Sequence, residues 1–246
     1  MTPLEAAFEA LRRGEIVLLY DADGREEETD MVVASQHATP EAVRRMRMDA
    51  GGLLCTALAP EHHAALRLPY LSDLIQDAAE DNPVLRSLLP DDIRYDGSKP
   101  AFGLTLNHRG TFTGVTDDDR SLTVTALAAL VADLEGIGAE AARKRLGASF
   151  RSPGHVPLLN GAPGGLATRQ GHTELSLTLA RLAGLVPCTT VCEMMDPRSG
   201  EARSKKDAMA YAKEHSLVFL TGQEVLEAWQ ATHHAPTPTA DPVAAR

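Results

Sequence analysis

Cysteine is scarce in this chain, and its few thiols lie far apart. The 246 residues include three cysteines, Cys55, Cys188 and Cys192. An odd and widely split set argues against a disulfide framework, so we expect reduced thiols. Cys188 and Cys192 are close enough in sequence to suggest a zinc pair, but their apolar and β-branched neighbours favour buried thiols.

Long apolar runs and an excess of positive charge are also missing. No run approaches the length that spans a bilayer, and the first residues lack the basic and then apolar profile of a signal peptide. We therefore expect a cytoplasmic protein with no membrane association. The formal net charge of −10 disfavours non-specific binding of nucleic acid, which requires a cationic face. An anionic small molecule would need a local basic pocket.

The length and composition suit a protein with a sizeable core. Apolar residues make up 43% of the chain, and 246 residues are enough for one large domain or two small ones. Because no internal repeat or linker is evident, one domain over residues 1–230 is the simplest organisation. After Trp229 the composition turns to alanine, threonine, proline and paired histidine, which predicts a disordered tail over 231–246.

Apolar periodicity and turn residues predict an α/β fold of alternating helices and strands. Helices are expected near 4–11, from Pro40 to about Gly51, over 117–132, around Arg143, from Thr173 to Gly184, and after a capping box at Thr221–Glu224. Strands are expected over 16–20, 31–34, 53–57, 102–107 and 189–194. Short helices and loops are expected over 60–100, and a loop over 151–155, where proline and glycine are frequent.

An acidic stretch follows the first predicted strand directly. Residues 21–30 contain six acids and one arginine, and residues 16–20 before them form a β-branched and aromatic run. The acids would therefore stand at the end of a buried strand, where α/β proteins place their sites. Crowded carboxylates repel one another unless a cation joins them, and Mg²⁺ prefers oxygen ligands. A solvated acidic surface loop is the alternative.

A second segment, Arg169 to Glu174, places a cation, a glycine, an imidazole and a hydroxyl immediately before a helix. Free backbone N–H groups and the helix dipole attract anions at such an end, and Arg169 can add a two-pronged contact to phosphate. This pattern predicts a phosphate-binding loop. An ordinary capped helix with His172 exposed is the alternative.

These two segments, with several shorter motifs in the same order, resemble the 3,4-dihydroxy-2-butanone 4-phosphate synthase family of riboflavin biosynthesis. The resemblance covers nearly all of the chain, from Ile16 to about Trp229. Its motifs are the Arg25–Glu26 to Asp30 cluster and residues 52–55, 112–116, 119–120, 153–156, 169–174, 182–185 and 192–195. The longer segment over residues 60–100 and the sequence of residues 26–30 are most similar to the archaeal-type, single-function branch.

The resemblance implies roles for particular residues. Glu26 and His172 would be metal ligands, and they would hold two Mg²⁺ or Mn²⁺ ions together with substrate oxygens and water. His155 and Glu193 would be the catalytic residues that transfer protons. The implied substrate contacts are Arg25, Glu26, Asp30, Arg169, Gln170, Gly171, His172, Thr173 and Glu193, with Cys55 and Thr113 near the substrate pocket. Many members have Glu-Asn-Glu or Glu-Asp-Glu after the arginine, whereas this chain has Glu26-Glu27-Glu28, so a direct role for Glu28 stays open.

The resemblance also implies an architecture and a reaction. The expected fold is a single domain with a mixed β-sheet flanked by helices, assembled as a homodimer with each pocket at or near the subunit interface. Family members convert D-ribulose 5-phosphate to L-3,4-dihydroxy-2-butanone 4-phosphate and formate. The route passes through an enediol, a dehydration, a skeletal rearrangement and loss of C4. Each stage develops negative charge on neighbouring oxygens, which divalent cations stabilise as Lewis acids.

Three other functions fit parts of this pattern. A bifunctional enzyme with a GTP cyclohydrolase II domain would need closely spaced zinc-binding cysteines, which this sequence lacks. A non-catalytic phosphosugar-binding or metal-binding module would be expected to have lost Glu26, His155, His172 or Glu193, and all four are present. A metal-dependent pentose-phosphate isomerase or aldolase is distinguished by formate, which an isomerase does not release.

Overall fold

The fold is described from a computed structural model, in which residues 2–90, 93 and 97–233 are placed. These residues form a mixed seven-stranded sheet with helices on both faces. The strands are β1 Val17–Tyr20, β2 Thr29–Ala34, β3 Cys55–Leu58, β4 Phe102–His108, β5 Phe150–Asn160, β6 Cys188–Glu193 and β7 Val218–Thr221. The predicted α/β architecture with a mixed sheet is confirmed.

Ten α-helices accompany the strands in the described part of the chain. They are α1 Pro3–Arg12, α2 Pro40–Arg45, α3 Pro60–Leu66, α4 Leu71–Ala78, α5 Pro83–Ser87, α6 Asp117–Ile137, α7 Ala139–Ser149, α8 His172–Leu182, α9 Lys205–Glu214 and α10 Gly222–His233. Several begin as their caps predict, since Thr39 caps α2 and Glu224 accepts hydrogen bonds from Thr221 at the start of α10. A π-helical turn over Met46–Ala50 extends α2 to Gly51, whose positive φ of 87° ends it.

The strand order places the first and last strands side by side. The order across the sheet is β4-β5-β3-β6-β2-β1-β7. β1 pairs antiparallel with β2 and parallel with β7, while β2 and β6 are antiparallel neighbours near the middle. The carboxyl ends of β1 and β6 therefore lie at the same edge of the sheet as the start of β2.

Alternate side chains of the central strands enter two separate apolar layers. Leu18 of β1 and Met31 and Val33 of β2 pack on the side covered by α2, α6 and α9. Leu19 and Val32 face the side covered by α1, α8 and α10. Because both faces are covered, these strands are buried along their whole length, as their nearly continuous apolar sequence predicts.

Three predicted boundaries need correction. Residues 151–155, expected as a loop, belong to β5, where Pro153 follows a cis peptide bond and the pairing with β4 is irregular. Proline and glycine have a low propensity for strands, so the sequence predicts a loop here. Irregular pairing with the neighbouring strand allows both residues to lie in β5. α6 continues past residue 132 to Ile137. Thr29 and Asp30 belong to β2 and not to the connection before it.

Only the first three residues of the predicted C-terminal tail are described by the structure. α10 continues through His233, so the first three residues of the stretch 231–246 are helical. The rest of that stretch, 234–246, lies outside the described residues. Within the described part of the chain, every helix is too short or too polar to span a bilayer.

Candidate active site

A polar cavity of about 290 Å³ opens where the start of β2 and the carboxyl end of β6 meet the start of α8. Asp30 of β2 and Glu193 of β6 are directly paired across the strands, and both line the cavity. The connection over 21–28 contributes Glu26 and Glu28 to the wall, and α8 contributes His172. The acidic segment and the later histidine segment, more than 140 residues apart in sequence, therefore share one cavity.

The acidic connection is organised by Asp21, a residue to which the sequence analysis gave no separate role. Its buried carboxylate accepts hydrogen bonds from the backbone N–H groups of Glu26 at 3.0 Å and Glu28 at 3.1 Å. It also accepts one from Arg25 Nη1 at 3.2 Å. An aspartate directly after a strand, followed by a glycine-containing turn, is the local signal for such a loop-closing carboxylate.

Glu26 and His172 are in direct contact at the centre of the site. His172 Nδ1 lies 3.3 Å from Glu26 Oε2, and its Nε2 lies 3.2 Å from the backbone carbonyl oxygen of Glu28. Asp21, Glu26 and His172 each offer a ligand atom, and these atoms all lie within 4.8 Å of one another. The cluster is composed of carboxylate and imidazole groups, which are common ligands of divalent cations.

Burial and neighbouring charges shift the pKa values of Glu26 and His172 in opposite directions. Burial alone would raise the pKa of Glu26, but the hydrogen bond from His172 and the charge of Arg25 hold this pKa at about 2. Burial alone would lower the pKa of His172, but the carboxylates of Asp30 and Glu26 raise this pKa to about 9. At neutral pH the pair is therefore an ionised carboxylate beside an imidazolium, and a metal ion that binds His172 must displace a proton.

Asp30 and Glu28 complete the acidic side of the cavity. Burial raises the pKa of Asp30 to about 7, and burial together with the charge of Glu26 raises the pKa of Glu28. The Oδ1 atom of Asp30 is buried and accepts no hydrogen bond from the described residues. His172 Nε2 lies 3.7 Å from this oxygen, which is an ion pair but too long for a hydrogen bond, so a cation bound in the cavity would satisfy the oxygen better. The residues of this cavity thus fit a divalent cation.

Glu193 is held at the cavity by the chain that enters β3. Its Oε2 accepts a hydrogen bond from the Leu53 N–H at 2.7 Å, and its carbonyl oxygen accepts one from the Gly52 N–H at 3.0 Å. A Cβ atom at Gly52 would lie only 2.6 Å from the backbone carbonyl oxygen of Glu193, which cannot move aside as the end of a side chain can. Glycine at position 52 is therefore required for the backbone to approach Glu193 so closely.

The second predicted proton-transfer residue, His155, does not line this cavity in the single chain. It lies on β5, where the Asn107 side chain accepts a hydrogen bond from its N–H at 2.7 Å and contacts its ring. The Asn107 amide also donates to the carbonyl oxygen of Thr113 at 3.2 Å. Asp119 in turn accepts hydrogen bonds from the N–H groups of Phe112, Thr113 and Gly114. His155 and Thr113 are therefore joined through Asn107, and β5, which carries His155, lies two places away from β6 in the sheet.

The residues just before α8 and in its first turn divide between two cavities. Arg169, His172 and Thr173 line the polar cavity, whereas Gln170 lines a neighbouring one beside Tyr20 and Lys205. Gly171 caps α8, and a Cβ atom there would collide with the guanidinium groups of Arg169 and Arg25. Two arginine side chains thus meet at the amino end of one helix, which is the arrangement expected for anion binding.

Cys55, predicted to lie near the substrate pocket, is a buried residue of β3. Its side chain lies in β3 with 1% exposure, and it does not line the polar cavity. Burial raises the pKa of the Cys55 thiol. All three cysteines are free and buried, in agreement with the prediction of reduced thiols. The proposed contact between Cys55 and substrate stays a prediction.

The fold and this cavity are those of an α/β enzyme with a polar site at the ends of its central strands. The family model for 3,4-dihydroxy-2-butanone 4-phosphate synthase matches residues 5–228. The chain belongs to this family.

Individual relatives agree with that assignment. The 3,4-dihydroxy-2-butanone 4-phosphate synthase of Methanothermobacter thermautotrophicus is 49% identical over 226 residues, covering 92% of this chain and 95% of the relative. The two-domain synthase RibBX of A. baumannii matches with a TM-score of 0.73 and 28% identity over 96% of this chain and 60% of that one. A 3,4-dihydroxy-2-butanone 4-phosphate synthase in complex with two magnesium ions matches with a TM-score of 0.70 and 26% identity, covering 94% of this chain and 98% of that one.

Proposed function

We propose that this protein is a metal-dependent carbon–carbon lyase that converts D-ribulose 5-phosphate to L-3,4-dihydroxy-2-butanone 4-phosphate and formate for riboflavin biosynthesis. The observation that carries the proposal is the contact between Glu26 and His172, at 3.3 Å, in a cavity that also contains Glu193 and Arg169. The reaction is inferred from membership of the family. The acidic, imidazole and guanidinium groups that the reaction requires lie together in this cavity. The buried free thiols are consistent with a reducing cytoplasm.

Mg²⁺ or Mn²⁺, as two ions in each site, is the proposed cofactor. Glu26 and His172 would bind the metal. Asp30, whose Oδ1 atom is buried, would balance the positive charge of the metal or contact the substrate. When bound, divalent cations stabilise negative charge that develops on neighbouring substrate oxygens. The family relative that contains two magnesium ions supports this proposal.

The phosphate end of the substrate would bind where α8 begins. Arg25 and Arg169 converge over Gly171, and Thr173 lies in the first turn of the same helix. Backbone N–H groups, the helix dipole and two guanidinium groups then act on the same anion. This binding would orient the sugar carbons toward Glu193, which lines the same cavity.

Proton transfer is assigned to Glu193 and His155. The hydrogen on C3 of ribulose 5-phosphate is acidified by the adjacent C2 carbonyl, and its removal gives the enediol. Glu193 already lines the cavity, whereas His155 lies elsewhere on the single chain. We therefore assign His155 to the site of a second subunit in a homodimer. Phe112 and Val115, in the loop tied to His155 through Asn107, are 94% and 53% exposed, as expected for an apolar interface.

Formate release tests the proposal directly. Purified protein is incubated with ribulose 5-phosphate, with and without EDTA, and formate is measured by a coupled formate dehydrogenase assay. We expect formate in the presence of Mg²⁺, its loss with EDTA, and recovery when excess Mg²⁺ is restored. Consumption of the pentose phosphate without formate would indicate an isomerase or aldolase and would contradict the proposal.

A further inference from the structure

Glu174 is a buried carboxylate that the mechanism above does not use. It is the third residue of α8 and is 2% exposed. Its Oε1 accepts a hydrogen bond from the Ala162 N–H at 2.9 Å, and its Oε2 accepts one from Arg169 Nη1 at 2.9 Å. An ion pair removed from water to this degree must be well satisfied, because an unpaired buried charge costs several kcal/mol.

The position of Glu174 in its helix shows that it is not acting as an ordinary cap. A glutamate at the third helical position usually reaches back to the N–H group of the capping residue. Here the capping residue is Gly171, which has no side chain, and both oxygens of Glu174 point instead to partners outside the helix. The carboxylate therefore joins α8 to Arg169 and to the segment that follows β5.

Arg169 is held on its other side as well. Its Nε donates a hydrogen bond to Ser98 Oγ at 3.0 Å, and its side chain is only 10% exposed. The guanidinium group separates the polar cavity from a smaller cavity of about 170 Å³ that Glu174 and Ser98 line. Arg25 approaches the same point above Gly171, so two positive groups lie close together. A carboxylate behind Arg169 offsets their mutual repulsion.

We propose that Glu174 is a positioning residue that fixes the Arg169 guanidinium for binding of the substrate phosphate. The inference rests on the proposed function, since it takes the phosphate site to be the one at the start of α8. A rigidly held guanidinium loses less side-chain entropy when it binds an anion than a mobile one does. Glu174 thus contributes to phosphate affinity without contacting the substrate.

The variant E174Q preserves the shape of the side chain and removes its charge. We expect the KM for ribulose 5-phosphate and the dissociation constant for inorganic phosphate to rise together by about 10-fold, with kcat changed by less than about threefold. Phosphate affinity is measured by isothermal titration calorimetry, which does not depend on turnover. If E174Q does not fold, E174D is the second variant, because it retains the charge but is too short to reach both partners, and the same rise in both constants is expected.

A double-mutant cycle separates this role from a purely structural one. In the R169A background, E174Q should produce no further loss of phosphate affinity, because the residue through which it acts is absent. E224Q is the matched control, since Glu224 holds the start of α10 through Thr221 and is expected to leave the phosphate affinity unchanged.

Two results would overturn the inference. One is an unchanged phosphate dissociation constant in a folded Glu174 variant, and the other is full additivity of E174Q with R169A. If the wild-type protein binds phosphate but releases no formate from ribulose 5-phosphate, the proposed function fails while the cycle still tests Glu174. If formate is released but the Glu174 variants bind phosphate normally, only the inference about Glu174 fails.

Discussion

The neighbours of His172 favour its protonated form, the imidazolium, whereas a metal ion binds only the neutral imidazole. Its pKa of about 9 lies above the ordinary value of 6.5, so its contribution to stability is complete below pH 6.5 and is lost as the pH rises to about 9. Glu26, with a pKa of about 2 against 4.5, contributes stability that is lost as the pH falls from 4.5 toward 2. The pair is therefore most stabilising between these two windows.

The His172→Gln variant measures the alkaline half of this behaviour. In EDTA, we expect the wild-type protein to lose its stability advantage over His172→Gln as the pH rises from 6.5 to 9, by on the order of 2 to 3 kcal/mol. Urea denaturation followed by circular dichroism at several pH values gives the free energies of unfolding. Glu26→Gln should weaken the same pH dependence, since Glu26 raises the pKa of His172. A stability difference that stays constant with pH would contradict this assignment.

At the scale of secondary-structure elements, local sequence signals predict the start of a helix where a capping motif or a helical period is strong. Thr39 with Pro40, and Thr221 with Glu224, placed the starts of α2 and α10 because capping is a short-range interaction. The same local reasoning failed for β5, since a strand that contains Pro153 and Gly154 is stabilised by its partner β4 and not by its own propensity. Tertiary pairing overrode local preference there.

Gly171 at the start of α8 provides a test at this scale. In Gly171→Ala, the new methyl group would displace the guanidinium groups of Arg169 and Arg25, and we expect kcat/KM to fall by about 10-fold or more. Stability should fall as well, because moving the Arg169 guanidinium disturbs its ion pair with the buried Glu174 carboxylate and because alanine caps a helix less well than glycine. Circular dichroism melting and the formate assay give the two quantities.

Gly136→Ala is the matched control for that substitution. Gly136 lies inside α6 with open space around its Cβ position, so alanine should stabilise the helix by about 0.5 to 1 kcal/mol and leave activity intact. Equal losses of activity in both variants would show that the effect at Gly171 is not specific to the arginines.

For the whole molecule, the separation of His155 from the cavity is the main feature that the sequence alone did not predict. The sequence pattern predicts a strand that includes Glu193 but a loop at His155, and it gives no distance between two segments so far apart in sequence. The meeting of the acidic segment with His172 was likewise expected from the family resemblance and not from composition or spacing. Strand order and loop packing determine both arrangements, and these depend on contacts across more than 140 residues.

Mixing two inactive variants tests the proposed dimer. His155→Ala should abolish formate release while leaving the fold intact, and Glu193→Gln should do the same. If each site combines Glu193 of one subunit with His155 of the other, a 1:1 mixture that exchanges subunits should recover about a quarter of wild-type activity. Analytical ultracentrifugation confirms exchange-competent dimers. No recovery in a mixture with demonstrated exchange would place both residues in the same subunit's site.

The parallel pairing of β1 with β7 has a consequence for how the protein is made. Residues 17–20 leave the ribosome long before their outer neighbour, residues 218–221, is translated. Until then the strand that leads into the acidic connection has an open edge on that side. A nascent chain that stalls before residue 218 therefore leaves β1 unpaired on one side, next to the connection that carries Glu26.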